Sequence, residues 1–368
     1  MKKCIFHLPY KLDQNGKGAR MVRPAKMIQA FKDIGYDVFV IEGWSSERRK
    51  KIAQAKRNIL NGVKYDFIYS ESNTSPMLLN DPHHMPTHPF LDFGFFRFAS
   101  KHGIKTGLFY CDIYWKFDNY GEGLPSWKRI SALYNYRYDV TQYKKTLAAF
   151  YVPGMKVLNY LDEPKLRAIA KELPPGADNI RAERGKRIIR DFHELPLTVF
   201  YVGGLGNHYR ISELVKAIYE TDDTRLIICC RREEWEKEKT AFEPYLNEKT
   251  EVIHKSSHEL EPYYDQADIC SLLFMNSEYM GMAQPVKAYE YLAHEMPVIS
   301  TKGTDIGTFV EKNGIGWNID YDADAIAKVL NTVKSNPEVL EKIRDNCRRT
   351  KADNLWTVRA KTVASDLK

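Results

Sequence analysis

The feature that most constrains this chain is a rhythm of short apolar runs alternating with helical patterns, run through once, broken, and then run through again. In the first pass KCIFHL, DVFVIEG, DFIYSES, GLFYCDIYW and AAFYVPG read as strands, and MVRPAKMIQAFKDIG as a helix that Gly35 ends. Apolar strands separated by helices suit a parallel sheet covered on both faces, because each crossover returns along one face. The segment ELPPGADNIRAERGKRIIRDFHELP then breaks the period with prolines, glycine and dense charge. After it LTVFYVGG, TRLIICC, TEVIHKS, DICSLLF and MPVIST read as strands, with ISELVKAIYET and ELEPYYDQA as helices. The expected architecture is α/β, two doubly wound Rossmann-like domains at 1–177 and 196–345 with a linker at 178–195. A helical segment at 346–368 follows, expected to pack back toward the first domain. Two such domains face a central cleft at the carboxyl ends of their strands, where ligands of these sheets bind.

Length permits this, since 368 residues supply two cores of roughly 150 to 200 residues each. A hydrophobic content of 43% with 28% charged residues excludes wholesale disorder. No apolar run nears the ~18 residues of a membrane span, and the opening apolar stretch, interrupted by His7 and Pro9, is too short for a signal peptide. Six cysteines without metal or disulfide spacing point to a reducing compartment. The expected location is the cytoplasm. The net charge of +7 gathers in SSERRKKIAQAKRNILNG and in WKRISALYNYRYDVTQYKK, where it mixes with aromatic residues. Those surfaces suit either solvent or an anionic membrane at its inner face, and nucleic acid less well than both.

The stretch PVKAYEYLAHEMPVIS, residues 285 to 300, has the most chemical content. Pro285 suits the first helical position. Val286, Tyr289, Ala293 and Met296 then share one face and Lys287, Glu290 and His294 another. A helix start attracts anions, and a lysine there adds to the attraction. A glutamate one turn further would repel phosphate but can accept hydrogen bonds from both hydroxyls of a ribose. Lys287 and Glu290 therefore describe either a nucleotide lying across a helix N-terminus or an ordinary i,i+3 surface ion pair.

The stretch QPVKAYEYLAHEMPVISTKGTDIGTFVEKNGIGW, with FYVGGLGNHYRISELVKAI, ELEPYYDQADICSLLF and LPPGAD, resembles the GT-B glycosyltransferases, in particular the retaining family 4 type of bacterial polysaccharide assembly. GARMVRPAKMIQAFKDIGYDVFVI is similar to that family's opening loop, helix and strand. The resemblance implies a metal-independent hexosyltransferase. It would move a sugar from a nucleotide diphosphate donor, UDP or GDP, to a glycan or lipid-linked acceptor in cell-surface polysaccharide biosynthesis, with retention. It also implies that Glu290 holds the donor ribose and that Arg210 and Lys287 hold the diphosphate. Gly203 and Gly204, after a strand, would let backbone approach the phosphates. Gly16 and Gly18, with Arg20, resemble the loop beneath the donor phosphates, Arg20 also facing the acceptor. Asp112, at the carboxyl end of GLFYCDIYW, is expected to orient the acceptor hydroxyl or act as its base, with capping of a following turn as the alternative.

One position departs from the family. Eight residues before Glu290, where the family often has a second glutamate, stands Met282. Backbone N–H groups of MGMAQ are left to line the place of the sugar. DPHHMPTHP offers His83, His84 and His88 in a spacing that fits no standard zinc pattern, and YDADA, residues 321 to 325, precedes a helical pattern where capping outweighs a metal-binding DxD. No metal and no cofactor are expected. A nicotinamide dehydrogenase is disfavoured because Met21 and Tyr209 replace the third glycine of its fingerprint. A GT-B sugar-nucleotide epimerase and a non-catalytic nucleotide-sugar-binding partner of another enzyme are the competing functions.

Overall fold

The computed structural model describes residues 1–13, 19–180, 191–192, 194–206 and 209–368, with backbone alone at residues 19, 20 and 257. The chain divides into two compact units. The first comprises Met1–Gly176 with Trp356–Lys368, and the second Ala177–Leu355.

In the first unit the elements run β1 (Lys2–His7), α1 (Ala19–Asp33), β2 (Tyr36–Ile41), α2 (Ser45–Leu60), β3 (Phe67–Glu71), α3 (Leu91–Lys101), β4 (Lys105–Phe109), α4 (Ser126–Thr146), β5 (Ala149–Val152), the short helices α5 (Leu158–Leu161) and α6 (Pro164–Ala168), and β6 (Ala170–Glu172). Its sheet is ordered β2-β1-β3-β4-β5-β6, and every neighbouring pair is parallel. β3 and β5 are buried throughout, as strands covered on both faces must be. The winding reverses between β1 and β3.

The second unit runs β7 (Leu197–Val202), α7 (Ser212–Glu220), β8 (Thr224–Cys229), α8 (Arg232–Glu238), β9 (Thr250–Ile253), α9 (Glu261–Gln266), β10 (Ile269–Leu272), α10 (Val286–Ala293), β11 (Val298–Thr301), α11 (Asp305–Asn313), β12 (Gly316–Ile319), α12 (Ala323–Ser335) and α13 (Glu338–Asp353). The sheet order is β12-β11-β10-β7-β8-β9, again all parallel. Here the winding reverses between β7 and β10, and ligands of doubly wound sheets bind outside the strand ends at such a reversal. Apolar clusters cover both faces, one around Phe200, Tyr291 and Met296 and the other around Leu214, Ile228 and Leu330.

The helical stretch expected at 346–368 is split between the units. α13 extends to Asp353 and places Ile343 and Cys347 in the second unit's core. α14 (Trp356–Leu367) packs on α1 and puts Trp356, Ala360, Val363 and Leu367 in the core of the first. Gly176 makes this return possible, since a Cβ there would lie 2.7 Å from both the nitrogen and the Cα of Trp356. The linker expected at 178–195 lies largely outside the described residues.

Candidate functional site

α10 is anchored by its second turn. The Val202 N–H, at the end of β7, donates to the Tyr291 hydroxyl at 3.0 Å, and the same hydroxyl lies 3.4 Å from the Ser271 carbonyl oxygen of β10. Tyr291 is fully buried, so one phenol bridges the two strands between which the winding reverses. Burial lifts this phenol well above its ordinary pKa, which keeps it a neutral partner for both backbones. Ala288, Tyr289 and Leu292 bury the rest of the inward side. Lys287 and Glu290 are left half-buried on the outer side, beside the strand ends, and paired with each other. His294, on the same side, stacks on Tyr264 at a centroid distance of 3.8 Å.

The i,i+3 ion pair anticipated as the plainer alternative is thus present. At about a third exposed on each side chain, such a pair stabilises the helix by only about 0.2–0.5 kcal/mol. It costs little to separate. Pro285 is the residue before the helix rather than its first residue, and no side chain caps α10. The Ala288 N–H bonds the Pro285 carbonyl at 3.1 Å, and the N–H groups of Val286 and Lys287 before it are left for water or a ligand.

The glycines after β7 have a structural use that the sequence did not disclose. A Cβ on Gly203 would meet the Tyr201 hydroxyl at 2.6 Å. That hydroxyl folds back over the turn to donate to the Gly204 carbonyl at 2.6 Å. Glu234 of α8 accepts the Leu205 N–H at 3.1 Å and pairs with Arg231 at 2.9 Å. Gly203 and Gly204 thus form a turn braced from within by Tyr201 and from the side by Glu234. Arg210 follows with an exposed side chain, its carbonyl accepting the Tyr321 hydroxyl at 2.6 Å.

The expectation for MGMAQ is corrected. Gly281, Met282 and Ala283 spend their N–H groups on the carbonyls of Ser277, Tyr279 and Met280 in a tight 3-10 turn. These amides do not point to a ligand. Met282 itself is buried, where a carboxylate would be costly.

In the first unit, Asp112 accepts the Tyr114 N–H at 2.8 Å, a local bond just ahead of the turn Tyr114–Lys116, whose N-cap position is Ile113. Its half-buried carboxylate stands just beyond β4. Gly16 and Gly18 lie outside the described residues, and Arg20 falls in the first turn of α1 with its side chain undescribed. Asp322 caps α12 by accepting the Ala325 N–H at 3.0 Å, as expected of YDADA. Of the histidines of the proline loop, His84 is bonded to the Leu79 carbonyl and His88 to Ser45. Among the described residues no cluster of three metal-ligating side chains occurs.

A buried polar network that the sequence did not disclose fills the reversal point of the first sheet. His7, the last residue of β1, is 2.9 Å from Ser70 of β3 through Nδ1 and 2.8 Å from Asp92 of α3 through Nε2. Arg48 makes a two-pronged pair with Asp92, both bonds 2.9 Å, and donates to the carbonyls of Pro9 and Gly43. Burial would raise the Asp92 pKa, but the Arg48 guanidinium and the His7 ring outweigh it and hold the carboxyl below its usual range. Burial lowers His7 despite Asp92. The stable arrangement is an ionised Asp92 with a neutral His7 that donates from Nε2 and accepts from Ser70. A serine, a histidine and an aspartate in line suggest a nucleophile, yet His7 and Ser70 are wholly inaccessible. The network is structural, and Arg48 is removed from the basic face expected of SSERRKKIAQAKRNILNG.

Residues 186–350, most of the second unit, match the model of the family described as Glycosyl transferases group 1. HepE from Anabaena, solved in complex with UDP and glucose, is similar along 100% of this chain and 99% of its own, with TM-score 0.63 and 13% identity. The fold is GT-B, and the chain resembles the glycosyltransferases built on it. WaaG, described as a glycosyltransferase involved in lipopolysaccharide biosynthesis, has the same GT-B architecture over 99% of this chain and 100% of its own, with TM-score 0.60 and 12% identity. Sucrose-phosphate synthase from Thermosynechococcus elongatus shares it over 98% of both chains, with TM-score 0.60 and 14% identity. Among curated proteins none matches the sequence. In GT-B terms, the group 1 match spans the β7 turn, α10 and the Tyr291 bridge between them.

Proposed function

We propose that the protein is a retaining glycosyltransferase that moves a sugar from a nucleoside diphosphate donor to a glycan or lipid-linked acceptor of the cell surface, working in the cytoplasm against the inner face of the membrane. The observation that carries this reading is the bridging of β7 and β10 by Tyr291, which holds the Lys287–Glu290 turn at the reversal point of the second sheet. A ribose diol placed there gives Glu290 two hydroxyl donors. The diphosphate then takes over Lys287 and meets the uncapped start of α10. Arg210 adds a second cation and the Gly203–Gly204 turn a close backbone approach. Cations and a helix terminus aimed at a departing diphosphate stabilise the charge that develops as the glycosidic bond breaks, so the reading requires no metal. Asp112 is assigned to orient the acceptor hydroxyl. UDP is the favoured nucleotide because HepE was solved with UDP, and a cell-surface acceptor is favoured by the likeness to WaaG.

A thermal-shift screen with UDP, GDP, ADP and TDP tests the reading, followed by incubation of the matching sugar donors with cell-envelope acceptors. One nucleoside diphosphate should raise the melting temperature, and its sugar conjugate should be consumed faster with acceptor than without. No shift with any of the four would remove the reading. The buried thioether of Met282 favours a second possibility, a nucleotide-sugar-binding protein without turnover. Tight binding with neither hydrolysis nor transfer across the panel would establish that instead.

A further inference from the structure

The outer side of α4 is apolar where a soluble helix is ordinarily polar. Residues 124 to 130 are exposed without interruption. Trp127, Ile130 and Tyr134, at i, i+3 and i+7, are 63%, 67% and 70% exposed, and Leu124 stands one turn before them. The inward side of the same helix is filled by Ala132, Tyr136, Val140 and Tyr143, so the stripe is not a misplaced core face. It continues off the helix. Tyr138 donates to the Pro89 carbonyl at 3.1 Å, which seats the proline loop against α4, and the next residue, Phe90, is 71% exposed. Monomeric soluble proteins seldom gather this much aromatic surface without a use for it.

The charge around the stripe selects its occupant. Every exposed charged side chain of α4 is basic: Lys128, Arg129, Arg137 and Lys145. The Lys128 ammonium lies 5.5 Å from the centroid of the Trp127 ring. Arg137, one turn beyond Tyr134, flanks the far end. Along the helix the aromatic and aliphatic side chains are flanked by cations, with Asp118 and Glu122 the exposed acids before it, and this matches the boundary between anionic headgroups and acyl chains. A second copy of the chain would instead bring the same cations together. On α2 the basic residues lack this pattern, since Arg48 is buried and Lys51 is paired with Glu42 at 2.6 Å.

We infer that the α4 stripe with Phe90 is a docking surface for an anionic lipid bilayer, and that Trp127 and Ile130 insert while Lys128 and Arg129 hold headgroup phosphates. This rests on the membrane-facing part of the proposed function and deepens it, while its test needs no activity, so a failure to bind vesicles leaves the glycosyl-transfer reading untouched. The full chain is floated with vesicles of phosphatidylcholine, with and without phosphatidylglycerol. It should rise with the phosphatidylglycerol vesicles only. Trp127→Ser with Ile130→Ser, and separately Lys128→Glu with Arg129→Glu, should each lower the bound fraction about tenfold. Arg49→Glu with Lys50→Glu on α2 should leave it unaltered. All six positions are exposed, and an unchanged melting temperature confirms that each variant is folded. The inference is overturned if the wild type stays behind, if the α4 variants float like the wild type, or if sedimentation shows a dimer that Trp127→Ser with Ile130→Ser dissociates.

Discussion

The Tyr291 hydroxyl accepts the Val202 N–H at 3.0 Å, so the helix bearing Lys287 and Glu290 is bonded directly to the end of the strand that leads into Gly203 and Gly204. The side chain is wholly buried. Tyr291→Phe should leave that N–H without its partner and lower the stability of the second unit by about 1–3 kcal/mol. Urea unfolding measures it. A loss close to zero would mean that the bond does not fix α10.

The buried network of the first unit gives stability a definite pH dependence. His7 has a folded pKa below its ordinary value of about 6.5. The unfolded chain therefore binds more protons, and the neutral ring's contribution is present above that value and lost as pH falls below it. Asp92, also depressed, acts with the same sign from about 3.9 downward. The urea midpoint of the wild type should fall more between pH 7 and pH 5 than that of His7→Gln. Equal slopes would contradict a neutral His7.

Much of this organisation was legible in the sequence. The apolar runs located ten strands, because strands covered on both faces are apolar throughout. β6 and β12 escaped. β6 exposes Lys171 and Glu172 at an edge of the first sheet, and β12 carries Gly316 and Asn318 at an edge of the second and is only half-buried. Edge strands of this kind lack the apolar signal. The shared face of Lys287 and Glu290 could be read from spacing alone, as could capping by Asp322, while spacing places the helix start one residue early, at Pro285. What spacing could not show was long-range pairing. Arg48 sits among surface lysines in sequence, but its partner Asp92 is contributed by a different helix. Nor could sequence show that the tyrosine two residues before Gly203 occupies the space a side chain at 203 would need.

Asp322 tests the capping role against a metal-binding one. Asp322→Ala should destabilise α12 by about 1 kcal/mol, the usual worth of an N-cap. Donor turnover and its response to added chelator should match the wild type. A selective loss of turnover at unchanged stability would reassign the residue.

Lys287 is assigned to the diphosphate and not to the nucleoside. Lys287→Ala should therefore slow donor turnover by a larger factor than it weakens binding of the nucleoside monophosphate. Steady-state kinetics and monophosphate titration, compared as ratios to the wild type, measure the two effects. Losses of equal size would place the lysine elsewhere on the nucleotide.

Calorimetric titration of UDP into the wild type and into Glu290→Ala tests the central claim most directly. If Glu290 accepts the ribose hydroxyls, its removal should weaken binding by about 1.5–3 kcal/mol, the worth of hydrogen bonds to a charged group, with the melting temperature of the free protein little changed. UDP binding of the same affinity and enthalpy in both proteins would show that the α10 glutamate does not hold the nucleotide.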